Sequence, residues 1–229
     1  MQFGPALWEI VLLSLRVATV ATIVALPLAV MMAWLLARRR FWGHGLLNGL
    51  VHLPLVLPPV VTGYLLLVVF GRNGAVGSVL YDLFGITLAF RWTGAALAAG
   101  IMAFPLMVRA IRLGFEAVDH GIEDAAATLG ASPLRVFVTV TLPLIAPGIL
   151  AAAVLGFAKA LGEFGATITF VAAIPGQTQT IPSAIYGLLQ VPGEEGAVVS
   201  LVVVSIVLAM GALIISEWLA ARMTKRLVA

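Results

Sequence analysis

DHGIEDAAATLGASPLRVFVTVTLP, residues Asp119 to Pro143, reads as a short polar-faced helix and a punctuated turn within a chain otherwise suited to a bilayer. Asp119 is a good N-cap, and Ile122, Ala125, Ala126 and Leu129 recur at i, i+3, i+4 and i+7, which puts them on one helical face. Gly130 suits a left-handed C-cap, and Pro133 stops any continuation. The helix over 119–130 is then about 11 residues long, or roughly 16 Å, against a hydrocarbon core of roughly 30 Å. It cannot cross, so something outside the bilayer must read it.

Composition fixes the setting. Hydrophobic residues make up 62% of the 229, charged residues 10%, and the mean hydropathy is +1.14, which excludes an ordinary soluble domain. The chain contains no cysteine, so disulfides, thiolate metal sites and cysteine nucleophiles are excluded as well. A net charge of +3 says little, because placement of Lys and Arg carries the information in membrane proteins.

Five stretches are long and apolar enough to span: about Trp8 to Ala37, Leu46 to Phe70, Thr93 to Leu113, Val136 to Ala158 and Ala197 to Ala221. One set of their ends collects Arg38, Arg39, Arg40, Arg109, Arg112, Arg135, Arg222, Lys225 and Arg226; the other collects only Arg72 and Arg91. The first set is expected to be cytoplasmic, which places the N-terminus outside, the C-terminus inside and the Asp119 helix between the third and fourth spans on the cytoplasmic side. Trp8 and Trp92 then fall at outer ends, and Trp34, Trp42 and Trp218 at inner ends, as interfacial tryptophans should. The first segment lacks a basic n-region and a small-residue cleavage site, so it is expected to be a retained helix. The chain is expected to be one transmembrane domain, 1–229, all-α. Residues 159–196 are too broken to cross and are expected to form outer-leaflet or re-entrant structure, and GSVLYDLFGI to lie along the outer surface.

Several residues could carry chemistry. Pro54, Pro58 and Pro59 crowd the second span, and Pro143 and Pro147 the fourth; such helices are either statically kinked by packing or jointed and pathway-lining. Thr62, Gly63 and Tyr64 follow Pro59 directly. Lys159 and Glu163 stand one turn apart and can pair, with Glu163 either a gate residue or a solvated carboxylate near the outer interface. Arg16 is expected to snorkel towards Glu9, and Glu217 to be an interfacial carboxylate. His44, His52 and His120 occur singly, without metal-ligand spacing, and GxSxG and GxxxxGK[ST] are missing, so any ATP-driven work must come from another polypeptide. The basic residues are accounted for as flanks, so nucleic-acid binding has no support.

The opening stretch resembles the coupling motif of binding-protein-dependent ABC importer permeases: Glu-Ala-Ala, three residues, Gly, nine residues, Ile, one residue, Leu-Pro. Here it stands as Asp124, Ala125, Ala126, then Gly130, then Val140, Thr141, Leu142 and Pro143, with Asp124 and Val140 as conservative departures. The resemblance implies the type I importer (MetI-like) permease fold in a bacterial inner membrane. It also implies that Asp119, Ile122, Glu123, Asp124, Ala125, Ala126, Leu129, Gly130, Leu142 and Pro143 form the ATPase-coupling element. HLPLVLPPVVTGYLLL from His52, FPLMVRAIRLGFEAVD from Phe104 and LGEFGATITFVAAIPGQTQTIPSAIY from Leu161 are similar to the molybdate permeases of that family. Sulfate and thiosulfate permeases share the GEFG stretch; the proline-rich second span favours molybdate, with tungstate as a co-substrate. The implied partners are a second copy of the chain, two ATPase subunits that bind ATP and Mg, and an external binding protein, with no cofactor held by this chain. Pro58, Pro59, Thr62, Glu163, Phe164, Thr167 and Thr169 are the candidate pathway or gate residues. The alternatives are a sulfate-type permease, or a channel or carrier independent of ATP.

Overall fold

The computed structural model describes residues 4–228, so residues 1–3 and 229 of the expected domain lie outside it, as do the side chains of Lys225 and Arg226 among the basic flanks. Every regular element among the described residues is helical: α1 (Pro5–Arg38), α2 (His44–Val56), α3 (Pro59–Phe70), α4 (Ala75–Phe84), α5 (Trp92–Ala117), α6 (His120–Thr128), α7 (Pro133–Val136), a π-helical turn (Phe137–Thr141), α8 (Leu142–Leu161), α9 (Gly165–Val171), α10 (Ile181–Leu188) and α11 (Glu195–Val228). Four of these pieces are long and apolar enough to cross a membrane: α1, α5, the run Pro133–Leu161, and Glu195–Ile215 within α11.

The second expected span is not one straight helix. Leu57 and Pro58 adopt extended backbone between α2 and α3, and the two helices are bent by 114°. Proline restricts the residue before it to extended conformations, and neither Pro58 nor Pro59 can donate a backbone hydrogen bond, so the pair breaks the helix. Pro59 then starts α3 at its first position. The two halves reach different parts of α5. Asn48 of α2 meets Arg112 near the last turn of α5, whereas Leu66, Leu67 and Phe70 of α3 pack with Ala95, Ala99 and Met102 of its first half.

At the centre, α1 lies against α5 along small residues. Ala18, Ala21, Ala25, Ala29 and Ala33 form a buried stripe on α1, facing a stretch of α5 in which Ala95, Ala98, Ala99 and Ala103 are buried. Lipid gives helices no hydrophobic reason to associate, so close backbone approach and van der Waals contact must hold such a pair. The same device joins α5 to α8: a Cβ added to Gly148 would lie 3.6 Å from the Cα of Gly114.

Residues 159–196 contain no crossing helix, in line with the sequence expectation. The short helix α9 packs against α3 and α5, and α10 packs against α11 and α1. The hydroxyl of Ser14 accepts the backbone N–H of Ile181 at 2.8 Å, which ties the start of α10 to α1. Between α9 and α10, Thr178 accepts the N–H of Ile174 at 2.9 Å and donates to the carbonyls of Val171 and Ala172, holding Ala172 at φ +60°. The expected surface element GSVLYDLFGI appears as α4, with Leu83 and Phe84 exposed.

Two charged residues find other surroundings than their sequence neighbours suggest. The Arg16 guanidinium stacks on the Trp92 ring at 3.7 Å instead of reaching Glu9, because a cation over an indole face is stabilised without a carboxylate. Glu163 is 3% exposed and so is not a solvated interfacial carboxylate.

Candidate functional site

The α6 helix is short because both ends are capped. Asp119 accepts the N–H of Gly121 at 2.8 Å. At the other end Gly130 adopts φ +85°, its N–H donates to Ala127, and the N–H of Ala131 donates to Ala126. Those two bonds are the Schellman pattern, which needs a residue in the left-handed region at the turn. Pro133 then begins α7 under a Ser132 cap and leads through the π turn into Leu142 and Pro143, the first residues of α8.

No residue of α6 is buried. Ile122 is 49% exposed and Leu129 89%, so the apolar face seen in the sequence touches little of its own chain. Leu134, just beyond the turn, is 74% exposed. Asp124 and Ala125 are exposed and Ala126 is half-buried. An exposed apolar ridge on a capped helix outside the spans is what a docking lever requires.

The flank next to Ala126 is anchored chiefly through Glu123. Both carboxylate oxygens of Glu123 lie 3.1 Å from an amino group of Arg38, the last residue of α1. The hydroxyl of Thr141, at the end of the π turn, donates to the same carboxylate, and His120 lies 3.6 Å away. A second Arg38 amino group reaches the His120 ring at 2.7 Å. Glu123 thus joins α6 to both α1 and the entry of α8. Sequence reading placed Glu123 in the coupling element but missed Arg38 and Thr141 as its partners. Thr141 stands at the variable position of the Leu-Pro signature, and Arg38 reads as one of three flanking arginines. Beside this brace opens a cleft of about 920 Å³ lined by Met31, Trp34, Arg38, Glu123, Asp124 and Leu134 among others.

The second group of candidates gathers where α3 meets α9. A Cβ on Gly165 would lie 2.7 Å from the Cβ of Pro59, and one on Gly63 would lie 2.5 Å from the carbonyl oxygen of Ala166 and 2.8 Å from the Cβ of Thr169. The two breaks in the fold, after Leu57 and after Leu161, therefore abut. Glu163 closes the second break: Lys159 donates to it at 3.2 Å, and it accepts the N–H of Ala166 at 3.0 Å, capping α9. The Thr167 and Thr169 hydroxyls donate to the carbonyls of Phe164 and Gly165 in their own helix. Phe164 packs on Tyr186 with ring centres 5.1 Å apart. Thr62 is 6% exposed, and its hydroxyl has no hydrogen-bond partner among the described residues.

Residues 25–225 match the profile of the family described as binding-protein-dependent transport system inner membrane component. The chain is similar to the molybdenum transport system permease protein ModB of Escherichia coli (strain K12), with 61% identity over 213 residues covering 93% of each chain. It is also similar to ModB of Haemophilus influenzae, with 57% identity over 215 residues and 94% of each chain. Among solved structures, a bacterial ABC transporter involved in the import of the acidic polysaccharide alginate aligns over 99% of this chain and 81% of its own, with TM-score 0.71 at 17% identity, a likeness of fold alone.

Proposed function

Because the chain belongs to the family of binding-protein-dependent transport system inner membrane components, we propose that it is the membrane-spanning subunit of an ATP-driven importer of molybdate. The observation that carries the coupling is α6: a doubly capped helix with Ile122 and Leu129 exposed and Glu123 braced to α1 and α8. The cargo assignment is supported by 61% identity to a molybdenum transport permease over 93% of both chains. Tungstate, a dianion of nearly the same size and charge, is a co-substrate in this reading.

The working unit is two copies of this chain, two ATPase subunits that bind ATP and Mg, and an external binding protein that delivers the anion. The α6 helices face the cytoplasm and sit in grooves of the ATPases. ATP-driven closure draws the two α6 helices together, the Glu123 brace carries that motion to α1 and α8, and the pathway opens outward; hydrolysis reverses it. A dianion leaving water faces a large desolvation penalty, yet deep fixed charge would hold it too tightly to release. The pathway is therefore hydroxyl- and backbone-lined, with Pro58, Pro59, Thr62, Thr167 and Thr169 near the α3–α9 contact. Glu163 and Phe164 form its gate.

The test is reconstitution with the neighbouring ATPase. Molybdate-loaded binding protein should stimulate hydrolysis, and radiolabelled molybdate uptake should resist excess sulfate. Efficient competition by sulfate would make the chain a sulfate-type permease, and uptake by this chain alone in liposomes would remove the ATPase from the account.

A further inference from the structure

Away from both groups of candidates, α2 and α5 enclose a small pocket of about 250 Å³ lined by Asn48, His52, Arg109, Arg112, Leu113 and Glu116. Asn48 and His52 stand one turn apart on α2, and Arg109, Arg112 and Glu116 share a face of α5, so two polar helix faces meet there. The geometry points to a binding site for a single tetrahedral oxyanion group, either the phosphate of an anionic lipid headgroup or the oxyanion cargo itself.

Donors set the argument. Arg112 donates through Nε to Glu116 at 2.7 Å and through one amino group to Asn48 Oδ1 at 3.2 Å, which leaves its other amino group open. That second bond assigns the Asn48 amide, whose NH₂ then has no partner among the described residues. His52 Nδ1 lies 2.8 Å from the Asn48 carbonyl, so its N–H is spent on its own helix and the ring lines the pocket without supplying a donor. Arg109 is exposed and has no hydrogen bond or ion pair among the described residues. Two guanidinium groups therefore face one carboxylate, which is already turned to Arg112.

Size and position narrow the occupant. The pocket is smaller than the roughly 300 Å³ at which sites for drug-sized ligands begin. Arg109 stands four residues before the end of the apolar stretch Thr93–Leu113, where a guanidinium can meet a headgroup phosphate or an anion in solution. Donors arriving from two helices in different directions suit a tetrahedral group better than a planar carboxylate. The lipid source is independent of transport, whereas the cargo source rests on the function proposed above.

The permease, assembled with its ATPase, is placed in phosphatidylcholine nanodiscs and titrated with radiolabelled molybdate and with inorganic phosphate. In parallel, phosphatidylglycerol is added to the discs and retained lipid is counted by native mass spectrometry. Binding in the first arm identifies cargo-type oxyanion, and retention in the second identifies lipid phosphate. In whichever arm responds, Arg109→Gln should lower occupancy at least about tenfold, the loss expected for one charge-assisted hydrogen bond, and Arg109→Lys should keep most of it. Arg91→Gln, at the opposite end of α5, should change nothing. If Arg109→Gln does not assemble, Asn48→Ala, which removes the open amide, carries the same comparison. Equal occupancy in wild type and variants in both arms overturns the site, and because no uptake is measured, that result leaves the transport reading standing.

Discussion

Arg38 and Glu123 stand 85 positions apart in sequence and 3.1 Å apart in space, the guanidinium at the end of one span meeting the carboxylate of a helix outside the spans. Arg38→Ala should lower stability by about 1 kcal/mol, since the pair is only partly shielded from water. The larger effect should be functional. Uptake should fall several-fold while basal ATP hydrolysis persists, and the exchange Arg38→Glu with Glu123→Arg should restore part of the coupling. A swap variant as inactive as either single one would show that the pair does not transmit motion.

Leu129 is 89% exposed, so Leu129→Asp should leave the permease's own melting temperature unchanged. Co-purification with the ATPase should nevertheless be lost. Retention of the full complex would mean that this face is not the docked one.

The glycines between helices should differ in their tolerance. Gly63→Ala would press a methyl to 2.5 Å from a backbone carbonyl, which cannot move aside, and overpacking of that kind costs about 1–3 kcal/mol. Gly156→Ala would meet first the side chain of Met107, at 2.6 Å from its sulfur and 2.8 Å from its Cγ, and an unbranched thioether can shift by a few tenths of an ångström more cheaply than a backbone carbonyl. Thermal denaturation in detergent should show the first variant clearly destabilised and the second close to wild type.

Thr62→Val replaces a buried hydroxyl without a partner by a methyl of similar shape. Stability should rise by about 1 kcal/mol, because an unsatisfied polar group is removed. Uptake should drop, because the hydroxyl is assigned to the pathway. A variant that is both more stable and fully active would remove Thr62 from the route of the anion.

Local signals were the most legible part of the sequence. Asp119 and Gly130 cap α6 where their chemistry said they would, since an N-cap oxygen and a left-handed glycine depend on neighbours only a few residues away. The apolar runs located the spans for a similar reason. The 114° break was only half legible: Pro58 and Pro59 announced a disturbance, but its angle is set by how α3 lies against α9. Glu163 looked interfacial by counting residues. Its burial comes from α9 folding back beside α3, which no periodicity encodes. Arg38 was likewise hidden among Arg39 and Arg40, because long-range ion pairs have no spacing rule. Arg16 went to Trp92 rather than Glu9 because α1 and α5 are neighbours in the fold.

The π turn at Phe137–Thr141 holds one residue more per turn than the α8 helix that follows it. Relaxing it to ordinary α geometry would swivel everything from Leu142 onward by about 100° and shift it by about 1.5 Å along its axis, with no bond in the chain broken. Thr141, which closes that turn, is also the hydroxyl gripping Glu123, so under the proposed coupling a pull on α6 would arrive first at a turn with slack to give.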